Sequence, residues 1–148
     1  PQVVVGAGTV RNPVDVLAAQ QAGARFLVSP GFTPALAQAA QEAGLPLLPG
    51  VSTASEIMAA MDAGLRALKF LPALQAGGVA MLKAWFGPFP EACFCPTGGV
   101  SAANAREFLA LPNVVCVGGS WLVPAEALAR KDWRTITQLA AEAVQLRK

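Results

Sequence analysis

The sequence predicts an α/β fold on a mostly parallel sheet, and it favours a (β/α)8 barrel over an open doubly wound sheet. Three observations carry this. A short β-branched or apolar run, a Gly or Pro turn, a capping residue and an Ala-rich amphipathic stretch recur six times, opening near Val3, Phe26, Pro46, Ala67, Ala92 and Val114. The spacings of 23, 20, 21, 25 and 22 residues each hold one strand, one helix and two short loops. Almost every strand ends in a turn of Gly, Pro or small polar residues, whereas an open sheet concentrates such chemistry at one switch point.

The first strand, Val3 to Val5, runs into Gly6-Ala7-Gly8-Thr9, and Asn12-Pro13 then places a cap before a proline at the first helical position. The second ends at Ser29-Pro30-Gly31, with Thr33-Pro34 repeating that start. The third ends in a turn at Pro49-Gly50, and Thr53 to Glu56 reads as a capping box. The fourth is Ala67 to Pro72. The fifth leads into Thr97-Gly98-Gly99, with Ser101 as the next cap, and the sixth into Gly118-Gly119-Ser120. Asp132 begins the longest helix, running to about Leu146 with Trp133, Ile136, Leu139, Ala140, Ala143 and Val144 on one face. Six units are too few for closure, and two more of about 22 residues would bring the chain near the lower size bound of such barrels. The chain also opens at Pro1, directly on strand residues. The expectation is therefore a single partial barrel domain, residues 1–148, with six of eight βα units present and the first two absent.

Composition excludes several classes. The chain is 54% hydrophobic with a net charge of +2, the reverse of a disordered composition, and only 14% charged against about 25% in an average globular protein. No apolar run approaches the ~18 residues of a membrane span. There is no His, which removes the usual near-neutral base, the commonest metal ligand and the Ser-His and Cys-His pairs. Cys93, Cys95 and Cys116 offer neither a C-x-x-C motif nor a fourth ligand, so they read as small buried core residues, the first two on one strand face. No metal and no cofactor are expected. The odd thiol count and the lack of a secretory pattern point to the cytoplasm. The 11 basic residues are scattered, with five after position 129 on a solvated helix, which argues against a nucleic-acid partner.

Lys69 is the only charged residue inside a strand core. Alternation puts Leu68 and Phe70 on the helix-facing side of the fourth strand and Ala67, Lys69 and Leu71 on the other, toward a barrel interior. An ammonium there is costly, and no strand of the chain carries a carboxylate to pair with it. Two readings stand: a lysine snorkelling to water, or a nucleophile at the C-terminal end of a barrel strand. A nucleophile would form a Schiff base with a carbonyl. An ordinary lysine is only ~0.04% neutral at pH 7, and desolvation raises that fraction. The resulting iminium is an electron sink that breaks adjacent bonds without metal.

The glycine turns after the fifth and sixth strands become, with two units missing, the loops after strands seven and eight, where many barrels bind phosphate through free backbone N–H groups. Each is also what an ordinary tight turn looks like.

Taken together, Val5-Gly6-Ala7-Gly8-Thr9-Val10, Ser29-Pro30-Gly31, Pro49-Gly50-Val51-Ser52-Thr53, Leu68-Lys69-Phe70-Leu71-Pro72-Ala73, Phe94-Cys95-Pro96-Thr97-Gly98-Gly99 and Gly118-Gly119-Ser120-Trp121-Leu122 resemble the blocks of 2-keto-3-deoxy-6-phosphogluconate (KDPG) aldolase and its 4-hydroxy-2-oxoglutarate relatives. These are class I aldolases of TIM-barrel fold. The resemblance covers the whole chain. It implies that Lys69 forms the Schiff base, Thr9 holds the pyruvate carboxylate, Pro30 lines the pocket, and Gly98, Gly99, Gly119 and Ser120 bind the phosphate with Thr97 beside them. It further implies cleavage of KDPG to pyruvate and glyceraldehyde 3-phosphate in the Entner-Doudoroff pathway, and a homotrimer with one site per barrel. Unphosphorylated 4-hydroxy-2-oxo acids as substrates, or a non-catalytic phosphate-binding fragment, are the alternatives. The glutamate base and carboxylate-binding arginine of the family belong to its second βα unit, so the chain is expected to turn over poorly. Leu71 and Leu74 stand where the family commonly has Phe and Glu.

Overall fold

Parallel pairing proceeds in chain order, without the reversal that marks a doubly wound sheet. The computed structural model describes residues 3–147. They pack as two compact units, the first comprising the chain up to Leu71 with Glu91–Phe94, the second Pro72–Pro90 with the chain from Cys95 onward.

In the first unit, β1 (Leu27–Val28) pairs in parallel with β2 (Leu47–Leu48), Leu27 opposite Leu47. β3 (Gly50–Val51) pairs in parallel with β4 (Ala67–Phe70), Gly50 opposite Lys69 and Val51 opposite Phe70. β5 (Cys93–Pro96) follows β4 in the strand order, its first amide, Cys93 N, donating to Arg66 O at 2.9 Å. Helices α1 (Pro13–Gln21), α2 (Pro34–Glu42) and α3 (Ala54–Asp62) alternate with these strands. Each starts as its sequence requires. The Asn12 side chain accepts from Asp15 N, Thr33 from Leu36 N, and Thr53 with Glu56 closes a full capping box.

The three helices also stop in the same way, which the sequence reading did not foresee. Gly23, Gly44 and Gly64 take φ of +82°, +67° and +81°. The following amides of Ala24, Leu45 and Leu65 reach back to Ala19, Ala40 and Ala60, each at 3.0 Å. These are three Schellman stops, and the left-handed residue that they need is glycine. Val10, Val16, Ala19, Leu27, Leu36, Ala40 and Leu47 form a core between α1, α2 and the strands.

The second unit holds α4 (Gly78–Phe86), α5 (Ala105–Leu109), α6 (Ala125–Ala129) and α7 (Trp133–Val144). Leu82, Trp85, Val100, Ala105, Phe108 and Val114 are buried there. Thr97 and Gly118 form an isolated parallel bridge. Asp132 caps α7 through Thr135 N, as expected. Among the described residues, no helix is long and apolar enough to cross a membrane.

Several expectations need correction. Val3, Val4 and Val5 form no strand and are 65–74% exposed; instead the segment from Val5 to Val10 runs beside β1 through hydrogen bonds to Arg25, Phe26 and Val28, with one bridge at Ala7. The third run is split: β2 pairs with β1 and β3 with β4, and Pro49, whose carbonyl faces β4, has no N–H to extend the β3–β4 ladder backward, so Gly50 is a strand residue and not a turn. Ser101 is not a helix cap; the Asn104 side chain accepts from Ser101 N at 2.8 Å, and α5 begins only at Ala105. The run from Val114 makes isolated bridges instead of a ladder. In α7 the expected face is half-buried at Ile136, Leu139 and Ala143, but Trp133 and Val144 are exposed. Cys93 and Cys95 do share one face of β5, yet both are half-buried and Cys116 is exposed, so none is a core residue.

Glu56 accepts from Ser52 N at 2.7 Å and Thr53 N at 2.9 Å. Burial pushes its carboxyl up, but the hydrogen bonds from Ser52 and Thr53 outweigh this and hold it below the ordinary 4.5. A depressed carboxylate contributes stability that is present above its unfolded value and is lost as pH falls through the folded one. Thr53→Ala is expected to lower stability by about 1 kcal/mol. Glu56→Gln should flatten the acid side of the stability curve; urea midpoints between about pH 3 and pH 6 would show both effects.

Candidate active site

The residues singled out by the sequence divide between the two units. Thr9, Pro30 and Lys69 lie in the first; Thr97, Gly98, Gly99, Gly119 and Ser120 lie in the second.

In the first unit Lys69 is fixed through its strand. Its amide donates to Pro49 O at 2.8 Å, and Leu71 N donates to Val51 O at 3.2 Å, so β4 is held on both sides of the lysine. Leu68 and Phe70 are fully buried, which leaves Lys69 on the opposite, more open face, as alternation predicts. The side chain is half-buried, not buried. Its partner across the pair is Gly50, which has no side chain to cover it. Among the described residues no carboxylate forms an ion pair with it.

Gly50 is the residue that sequence reasoning missed. A Cβ there would run into the backbone carbonyl of Pro30 and approach Gly31 N within 2.8 Å. The Ser29-Pro30-Gly31 turn therefore lies directly on Gly50, and Pro30 and Lys69 meet at the same glycine. The turn is shaped from within, since the buried Ser29 hydroxyl donates to Gly31 O at 2.6 Å. The available signal was a glycine inside an apolar run, which marks close backbone approach as readily as a turn.

Thr9 is exposed and has φ of +59°. For a β-branched residue this is a strained conformation, costing on the order of 1–2 kcal/mol, and such strain gathers at functional positions. It follows Gly8 and precedes the buried Val10, whose amide donates to Val28 O at 3.1 Å. The backbone on the far side is thereby pinned.

In the second unit Gly98 and Gly99 have φ of +98° and +76°. Two successive left-handed residues are a conformation that favours glycine. The N–H of Gly98 faces Gly118 O in the Thr97–Gly118 bridge, whereas those of Gly99 and Gly119 donate to no described residue, so two backbone donors are unspent. The carbonyls are occupied: Gly98 O accepts from Leu74 N at 3.0 Å and Gly99 O from the Asn104 side chain at 3.0 Å. Gly119 departs from the expected reason for its identity. Its φ of −156° is extended, and glycine is needed there because a Cβ would overlap the Trp121 ring. Ser120 is exposed and opens a 3-10 turn through Leu122. A strand lysine with an open face and a loop of unspent amides are the parts for imine formation and anion binding.

Comparison with known proteins shows the family. The family model for KDPG and KHG aldolase matches residues 1–139. The chain belongs to the KDPG and KHG aldolase family. The 2-dehydro-3-deoxy-phosphogluconate aldolase of Dickeya dadantii is 56% identical over 144 residues, 97% of this chain and 68% of that protein. The crystal structure of the Legionella pneumophila KDPG aldolase, with pyruvate captured at low pH as a covalent carbinolamine intermediate, superposes with a TM-score of 0.93 at 48% identity, covering 97% of this chain and 69% of that one. The Zymomonas mobilis enzyme with 3-phosphoglycerate gives 0.91 at 45% identity, covering 97% and 67%. The chain thus spans about two thirds of the length of these aldolases.

Two outcomes test this aldolase geometry. Thr9→Asn, which tolerates the left-handed region, is expected to raise stability by about 1 kcal/mol while weakening pyruvate binding, read by thermal melts and titration calorimetry. A Cβ at Gly99 would come within 2.6 Å of Leu74. Gly99→Val should raise KM for a phosphorylated keto acid at least tenfold more than for its unphosphorylated analogue, and equal effects on both would remove the anion site from this loop.

Proposed function

We propose that the chain acts as a class I aldolase that cleaves 2-keto-3-deoxy-6-phosphogluconate to pyruvate and glyceraldehyde 3-phosphate. The observation that carries this is Lys69, a strand lysine on an open face opposite a glycine, in a family with a relative caught bearing covalent pyruvate. The Lys69 amine attacks the C2 carbonyl, and loss of water gives the iminium. Electrons from the C3–C4 bond flow into that sink as the C4 hydroxyl gives up its proton, releasing the aldehyde and leaving an enamine. Protonation at C3 and hydrolysis then free pyruvate and the amine.

Thr9 and Pro30 contact the pyruvate portion in this reading. Gly98, Gly99 and Gly119 bind the phosphate, the last two through backbone N–H donors; Ser120 gives its hydroxyl, and Thr97 stands beside them. The unspent amides of Gly99 and Gly119 support it. Glu56 is a poor proton acceptor, since its carboxylate is already engaged by Ser52 and Thr53. The chain-order pairing and the shared length with the relatives support the finer reading of six βα units of a (β/α)8 barrel. A cytoplasmic homotrimer with one site per subunit, taken from the family resemblance, belongs to the same proposal.

Pyruvate with borohydride is expected to add a stable mass to Lys69, located by peptide mass spectrometry. Lys69→Met should abolish the adduct without loss of stability, since an unpaired ammonium is removed. Labelling at Lys83 instead, or none in a folded sample, would overturn the assignment.

A further inference from the structure

Gly118 has no conformational reason to be glycine. Its φ lies outside the left-handed region that explains Gly98 and Gly99. The three atoms nearest to its missing side chain all belong to Thr97: a Cβ there would lie 2.6 Å from Thr97 Oγ1, 3.2 Å from Cγ2 and 3.4 Å from Cβ. The two backbones cannot move apart to make room without losing a pairing, because Gly118 N donates to Pro96 O at 2.9 Å and Gly118 bridges Thr97. The side chain would have to give. Thr97 is seated with its hydroxyl donating to Cys95 O at 3.3 Å and 3.9 Å from Cys95 Sγ, and a methyl group at residue 118 would crowd that hydroxyl at 2.6 Å.

We propose that Gly118 is a positioning residue for the phosphate-bearing part of the substrate: it keeps Thr97 in the rotamer that serves the adjoining Gly98-Gly99 loop by having no side chain of its own. This rests on the reading that Thr97 contacts substrate. Gly118 touches no ligand itself, and its whole effect passes through Thr97.

A double-mutant cycle on the full chain tests this, with 3-phosphoglycerate as the probe and its Kd measured by titration calorimetry. Thr97→Ala alone is expected to weaken binding about tenfold, and no change would show that the contact reading itself is wrong. Given that loss, Gly118→Ala should weaken binding about as much in the parent chain and less than twofold in the Thr97→Ala background. A merely structural role would give the same loss in both backgrounds, and that additivity would overturn the proposal. If Gly118→Ala fails to fold, the double variant should fold, since the clashing atoms are gone; failure of both would place the requirement in the backbone and overturn the proposal too.

Discussion

At Gly50 the backbone of one turn rests on the backbone of a strand, and the first unit is built around that contact. Any side chain at this position would collide with the Pro30 carbonyl. The absence of one lets the Ser29-Pro30-Gly31 turn close onto β3, while the β3–β4 register sets Lys69 across from the same glycine. Pro49 just before it supplies the complementary constraint. Its carbonyl accepts the Lys69 amide to begin the β3–β4 ladder, and without an N–H it cannot extend that ladder further back. The lysine's place therefore comes from main-chain geometry on three neighbouring segments.

The helices obey a similar economy. Asn12, Thr33 and Thr53 begin them and the Ala-Gly pairs at 22–23, 43–44 and 63–64 end them, so each has fixed limits set by a few residues. Between those limits, alanine-rich faces pack closely on short strands such as Leu27–Val28 and Leu47–Leu48. Such short ladders contribute few hydrogen bonds. Burial of Leu27, Leu36 and Leu47 and the fixed helix ends carry much of the order.

What was legible in the sequence was periodic or local. Caps at Asn12, Thr33, Thr53 and Asp132, the alternation of Leu68 and Phe70 with Lys69, and the paired faces of Cys93 and Cys95 depend on neighbours within a few residues. What was not legible depends on contacts distant in sequence. Pro30 decides that residue 50 is glycine, Trp121 decides Gly119, and the pairing with Arg25 to Val28 takes the first paired segment beyond Val3 to Val5. Burial was overestimated for Lys69 and the cysteines because a strand pattern tells which face a residue takes, not how well that face is covered. The aldolase resemblance, in contrast, was readable because its blocks are glycine-, proline- and lysine-centred, and those residues leave few substitutes.

The unspent amides of Gly99 and Gly119 have a thermodynamic consequence for the proposed phosphate site. In many binding loops an incoming anion must compete with hydrogen bonds that the empty protein already makes. Here the carbonyls of Gly98 and Gly99 are the groups engaged, and the left-handed backbone is held by them and by Leu74 and Asn104. If the loop binds phosphate as proposed, these two donors would have no internal hydrogen bond to give up, and little of the anion's intrinsic affinity would be consumed in reorganising the loop.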